Sequence, residues 1–149
     1  MTRTIAPYGS WRSPVSAQQV FAQSVRIGNL HLDDGSLYWS ELRPNGKAVV
    51  VRRTQDGGIA DVTPAGYNVR TRVHEYGGGD FTVGDGVVYF SNFDDQHLYR
   101  QSPGAAPQLF APQEGMRYAD ATLDRQRGRM IVVREDHTPG AAQAVNTLV

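Results

Sequence analysis

Two arginines, a histidine, a glutamate and a tyrosine fall within seven residues of the run Asn68-Val69-Arg70-Thr71-Arg72-Val73-His74-Glu75-Tyr76-Gly77-Gly78-Gly79. Strand alternation predicts Val69, Thr71, Val73 and Glu75 on one side of an extended segment, with Arg70, Arg72 and His74 on the other. The second set cannot enter an apolar layer without partners, because desolvated charge is costly. A polar cavity wall is one reading. The plainer alternatives are an exposed strand leading into a flexible turn, or a set of internal ion pairs that fixes the strand. His74 and Glu75 are strand neighbours and point to opposite faces, so they do not make a base and its orienter by themselves. The glycines allow positive φ or close backbone approach. They lack the Gly-Lys-Ser/Thr ending and following helix of a phosphate loop, so a turn is expected there.

Other residues with chemical potential are sparser. Asp94, Asp95 and His97, and separately Glu135, Asp136 and His137, offer oxygen and nitrogen ligands, but neither set has a recognised metal spacing. Neither a metal nor a cofactor is expected. There is no cysteine, which removes disulfides, thiolate sites and a Cys nucleophile. A nucleophile elbow requires Gly-x-Ser-x-Gly, and Ser10, Ser36, Ser40 and Ser91 each lack one or both glycines. Lys+Arg and Asp+Glu both total 15, so no net field draws nucleic acid or an anionic surface. The first residues have no apolar h-region, and no apolar run is long enough to span a bilayer. A cytoplasmic location is the expectation, with no membrane and no nucleic-acid partner.

The elements that must position these residues are strands. Ala6 to Pro14 reads as an irregular lead-in whose Tyr8 and Trp11 are expected to dock on the body. Ser16 to Ala22 fits two helical turns, with Ser16 as N-cap and Gln19 in the capping-box position. Leu30 to Glu41 is strand, Asp-Asp-Gly turn, strand. Turns at Arg43–Lys47 and Gln55–Gly58 then separate Ala48–Arg53 and Ile59–Pro64, completing an antiparallel meander. Phe81 to Asn92 repeats the first hairpin, with Trp39 and Phe90 equivalent 51 positions apart. Strands at His97–Arg100 and Gln108–Phe110 complete the second meander. A third meander opens at Tyr118–Asp124 and continues through Met130–Glu135, where Val132 follows Phe90 by 42. Repeats of this length, each of four short strands, describe β-propeller blades. The fold expected is all-β: about three four-stranded antiparallel blades of an incomplete, open β-propeller. The lead-in is assigned to 1–25 and the partial propeller to 26–149, with blades 26–66, 67–114 and an incomplete 115–149. An open sheet or sandwich is the alternative. Trp39, Tyr89, Phe90 and Tyr99 are expected to fill space between blades. Three unclosed blades leave apolar sheet faces bare, and self-association through them is expected.

Several segments together resemble a known family. They are Tyr8-Gly9-Ser10-Trp11-Arg12-Ser13-Pro14, Tyr38-Trp39-Ser40-Glu41-Leu42-Arg43-Pro44, Asp61-Val62-Thr63-Pro64, Asn68 to Gly79, Val88 to Arg100, Arg117-Tyr118-Ala119-Asp120 and Val133-Arg134-Glu135-Asp136-His137. In this order they resemble the N-terminal propeller region of prolyl-oligopeptidase-type serine peptidases, in the dipeptidyl aminopeptidase/acylaminoacyl peptidase branch. The resemblance implies a propeller lid that gates peptide substrates over a separate α/β-hydrolase domain. That domain is expected to be missing from this chain, and the chain alone is expected to be inactive. The resemblance also implies that Arg70, Arg72, His74 and Glu75 line the substrate cavity, Glu75 meeting an amine and Arg72 a carbonyl or carboxylate. A stand-alone propeller-like interaction module is the alternative. A small independent hydrolase has no nucleophile, base and acid to support it.

Overall fold

A computed structural model describes residues 5–10, 13–22, 24–111, 114–138 and 143–149. A short helix, α1 (Ala17–Phe21), comes first, and the Ser16 hydroxyl and the Gln19 side chain close a reciprocal capping box at its start. Such a cap satisfies two orphan amides that a five-residue helix cannot otherwise cover.

Eleven strands follow among the described residues, in three antiparallel sheets. The first sheet is β1 (Arg26–Asp33), β2 (Ser36–Leu42), β3 (Ala48–Arg53) and β4 (Ile59–Asp61), paired in that order. The second is β5 (Phe81–Gly84), β6 (Val87–Ser91), β7 (Leu98–Gln101) and β8 (Gln108–Ala111). The third joins β9 (Met116–Asp124), β10 (Arg129–Asp136) and β11 (Val145–Leu148), with β10 central. The sheets do not close on one another. The chain is a partial, open β-propeller.

The Asp-Gly turns set the registers. Asp34, Gly35, Asp85 and Gly86 all have positive φ, as a two-residue hairpin turn matching the right-handed strand twist requires. Asp33 therefore faces Ser36, and Gly84 faces Val87. Counting from these pairs, and in the third sheet from Asp124 facing Arg129 across the turn at 125–128, Trp39, Phe90 and Val132 occupy the same place in the second strand of successive sheets.

That equivalence explains the packing. Phe90 and Val88 point from β6 back toward the first sheet and are fully buried with Tyr38, Val50 and Phe81. Phe90 stacks on Tyr99 at 5.6 Å, and the Tyr67 ring meets both edge-on. Full burial of one such side chain stabilises the fold by roughly 1.5–3 kcal/mol. Val132 likewise points back from β10 to meet Leu98 and Tyr118. Trp39 also points back, but in the first sheet no described sheet lies there. It is half-buried, bonded through its indole N–H to Glu41 at 2.8 Å. The expectation that Trp39 fills space between blades is thus corrected: Tyr38, on the opposite face, does so. Ile27, Leu32 and Ile59 share Trp39's outer face and remain exposed.

Polar bonds lock the sheets at their turns. The buried Asp33 carboxylate accepts from the Asp85 and Gly86 amides and from Arg125 Nη2 at 2.6 Å, tying all three sheets together. Burial alone would raise its pKa, but those donors and the Arg125 charge hold it below the ordinary carboxylate value. Ser91 Oγ donates to the Tyr118 carbonyl, and Gln101 Nε2 to that of Val62. Tyr8 is exposed and does not dock on this body, and Trp11 lies outside the described residues. Among the described residues no helix is long and apolar enough to cross a membrane.

Candidate substrate-facing segment

Residues 68–79 link β4 to β5 and are not a strand. Only Val69 makes a β-bridge, to Asn92. The reason is where the backbone bonds go. The Asn68 amide donates to Asn92 Oδ1, that of Arg72 to Gln96 Oε1 and that of His74 to Glu135 Oε1. Side chains take donors that a ladder would have used. Extended backbone still alternates, so Val69, Thr71 and Val73 are buried while Arg70 is half-buried and Arg72 exposed. The segment ends in a tight turn in which His74 and Glu75 both take left-handed φ, at 57° and 63°. Glu75 therefore leaves the buried face on which alternation had placed it, and is exposed.

The three glycines divide the work that follows. Gly77 takes a φ of 93° as its amide bonds the Val73 carbonyl. Gly78 and Gly79 pass so close to Asp120 that a Cβ on either would stand within 3 Å of its carboxylate. The Gly79 amide donates to Asp120 Oδ1 at 2.6 Å, and the Asp120 amide returns a bond to the Gly79 carbonyl.

Arg70 and Arg72 come together over one ring. Their guanidinium carbons stand 4.6 and 4.3 Å from the centre of Phe93, which the β6–β7 turn presents. A ring face attracts a guanidinium without using its N–H groups, which stay available to an oxygen ligand. His74 joins a different group. Its Nδ1 is 3.6 Å from Glu135 Oε1, while His137 Nε2 is 2.9 Å from Glu135 Oε2. Burial would raise the Glu135 pKa, but the bond from His137, the His74 amide and both imidazole charges hold it below its ordinary value. Glu75 makes no ion pair among the described residues, and Tyr76 beside it is 95% exposed. The four predicted site residues thus separate into an arginine pair, a histidine bound to Glu135 and a free glutamate at the turn. Sequence reasoning missed Phe93 and Gln96 as their supports. The signal available was only their place in a turn between two predicted strands.

Asp80, just beyond the glycines, is half-buried and bonded by Asn29 Nδ2 at 2.6 Å. The β1 bulge between Gly28 and His31 re-aims Asn29 toward it. Loss of hydration pushes the Asp80 pKa up to about 6 against the opposing pull of Asn29. Asp95, weighed above as a metal ligand and not expected to be one, is used within its own turn. It accepts from the His97 amide and from the Tyr99 hydroxyl at 2.6 Å. Among the described residues no group of three or more acidic or imidazole side chains is arranged to hold a metal ion.

Three blade-like sheets in chain order, joined by a charged link that runs into a glycine-rich turn, make a partial propeller, and over most of its length the chain matches the propeller region of prolyl-oligopeptidase-type peptidases. The particular relatives are puromycin-hydrolysing peptidases. Puromycin hydrolase matches 98% of this chain at 33% identity with a TM-score of 0.78. A serine-to-alanine mutant of puromycin hydrolase complexed with PGG matches 96% of it at 33% identity and 0.79. A Mycobacterium tuberculosis puromycin-hydrolyzing peptidase matches 89% at 34% identity and 0.70. The chain spans about a quarter of the length of these proteins, 24%, 24% and 22% respectively. No family model and no curated protein matches it.

Proposed function

We propose that this chain is a non-catalytic propeller segment of a serine peptidase, which gates peptide entry and positions peptides over a separate α/β-hydrolase domain. The observation that carries the reading is the Arg70–Arg72 pair held over Phe93, with Glu75 exposed at the turn that follows in the chain. An arginine with free N–H groups meets a peptide carbonyl or carboxylate, and an exposed carboxylate meets a peptide amine. The PGG complex of the puromycin hydrolase mutant supports a peptide as the ligand class. The dipeptidyl aminopeptidase/acylaminoacyl peptidase branch and a cytoplasmic site of action belong to the same proposal. So do the division into a lead-in at 1–25 and blades at 26–66, 67–114 and 115–149, and self-association through the bare outer face of Ile27, Leu32 and Trp39.

The test replaces the matched quarter of puromycin hydrolase with this chain and compares the chimaera with the chain alone. The 149 residues hold no Gly-x-Ser-x-Gly, so a fluorophosphonate is expected to label the chimaera and leave the isolated chain unlabelled. Labelling of the isolated chain, or its release of product from an activated ester, would contradict the proposal.

A further inference from the structure

A cleft of about 580 Å³ opens between the first and second sheets, lined by Tyr38, Arg52, Ile59, Asp61, Gln101 and Pro103. It lies by the β3–β4 and β7–β8 turns. Antiparallel topology puts those turns at the opposite end of the sheets from the β4–β5 link carrying Arg70 to Tyr76. Nothing in the peptide-positioning reading uses it.

Two polar groups in its wall are unsatisfied. Gln101 is only 7% exposed, and its Oε1 is buried without a hydrogen-bond partner. The amide cannot be turned round to cure this, because Nε2 is needed by the Val62 carbonyl at 2.9 Å. Arg52 Nε is likewise buried and without a partner. The rest of its guanidinium bonds Ser36 Oγ at 2.9 Å and stands 5.6 Å from the centre of the Tyr38 ring. Among the described residues no carboxylate forms an ion pair with Arg52. Asp61, the acid in the cleft, is already committed to both Nη atoms of Arg43, at 2.8 and 2.6 Å. Both residues line this cleft, and a buried acceptor and a buried cationic donor without partners each carry a desolvation cost, which a small side-chain shift toward a matching ligand would remove. The acceptor asks for an N–H, and the donor for an anionic oxygen.

We propose that this cleft binds a carboxylate adjoining an amide N–H, the grouping found at a peptide C-terminus and in an N-acyl amino acid. Arg52 takes the carboxylate, Gln101 Oε1 takes the N–H, and Tyr38, Ile59 and Pro103 cover the apolar remainder. The volume falls in the range of small-molecule sites.

The test is isothermal titration of the 149-residue chain with a glycine-rich tripeptide acid, the same tripeptide as its C-terminal amide, and an N-acetyl amino acid. Circular dichroism checks that each variant is folded. Both acids are expected to bind saturably, and the tripeptide amide about tenfold or more weaker, the loss of one charge-assisted hydrogen bond. The tighter of the two acids identifies the source. Arg52→Gln is expected to abolish the preference for the acid, and Arg52→Lys to keep part of it. Equal affinity for acid and amide, no saturable binding of either acid, or an unchanged preference in folded Arg52→Gln would overturn the proposal.

Discussion

The imidazole of His74 and the carboxylate of Glu135 are 61 residues apart in the chain, yet the His74 amide donates to Glu135 Oε1 at 2.6 Å. The link from the first sheet to the second is thereby anchored on β10 of the third. Because His137 holds the other carboxylate oxygen, Glu135 is saturated by its neighbours and only 4% exposed.

Glu135→Gln should therefore destabilise the fold by about 1–3 kcal/mol near neutral pH, the range for leaving buried partners unsatisfied. The lowered pKa sets the sign of its pH dependence. The folded chain holds this proton less tightly than the unfolded chain, so the contribution is present above the ordinary carboxylate range. It is lost as pH falls through the depressed folded value. Thermal midpoints measured from pH 7 down to pH 3 should fall more steeply for the parent than for Glu135→Gln. Parallel curves would count against the role given to Glu135.

Asp80 has the opposite sign. Its pKa is pushed up to about 6, so the folded chain keeps the proton more tightly than the unfolded chain. Stability is then highest below the ordinary carboxylate range and declines as pH rises through about 6. Asp80→Asn, which still offers Asn29 an acceptor, should melt above the parent at pH 8, with the gap closing by pH 4. A gap that stays constant with pH would mean Asp80 is ordinarily hydrated.

Much of the scaffold was legible because it depends on local chemistry. Asp34-Gly35 and Asp85-Gly86 adopt the positive φ that their residue types favour, and the common register of Trp39 and Phe90 follows from those turns. Ser16 and Gln19 form the capping box for the same kind of reason. The link at 68–79 was legible in part. Alternation located Val69, Thr71 and Val73 on the buried side, but strand pairing depends on a neighbour, and the available neighbours were side chains of Asn92, Gln96 and Glu135. The contacts of His74 with Glu135 and of Asp33 with Arg125 arise only when blades stack. No spacing within one blade encodes them. Tyr8 shows the reverse error, since an aromatic in a lead-in need not find a body to cover it.

Gly78→Ala tests the glycine-rich turn. The new methyl group would stand 2.8 Å from Asp120 Oδ2 and 2.9 Å from Ala119 Cβ. Overpacking of this kind costs about 1–3 kcal/mol, and the loss should appear as a lower midpoint in chemical denaturation. A variant as stable as the parent would show that the 78–79 segment does not press on Asp120.

The central claim is that residues 70–73 present one face to a peptide and the other to the core. It is tested most directly in the puromycin hydrolase chimaera by measuring kcat/KM and thermal midpoint for Arg72→Ala and Val73→Asp side by side. Arg72 is exposed, so its removal should lower kcat/KM about tenfold, the worth of one charge-assisted hydrogen bond, with the midpoint nearly unchanged. Val73 is fully buried, so an aspartate there should lower the midpoint steeply by burying an unpaired charge. An Arg72→Ala chimaera that unfolds, or one that turns over peptides at the parent rate, would contradict the account.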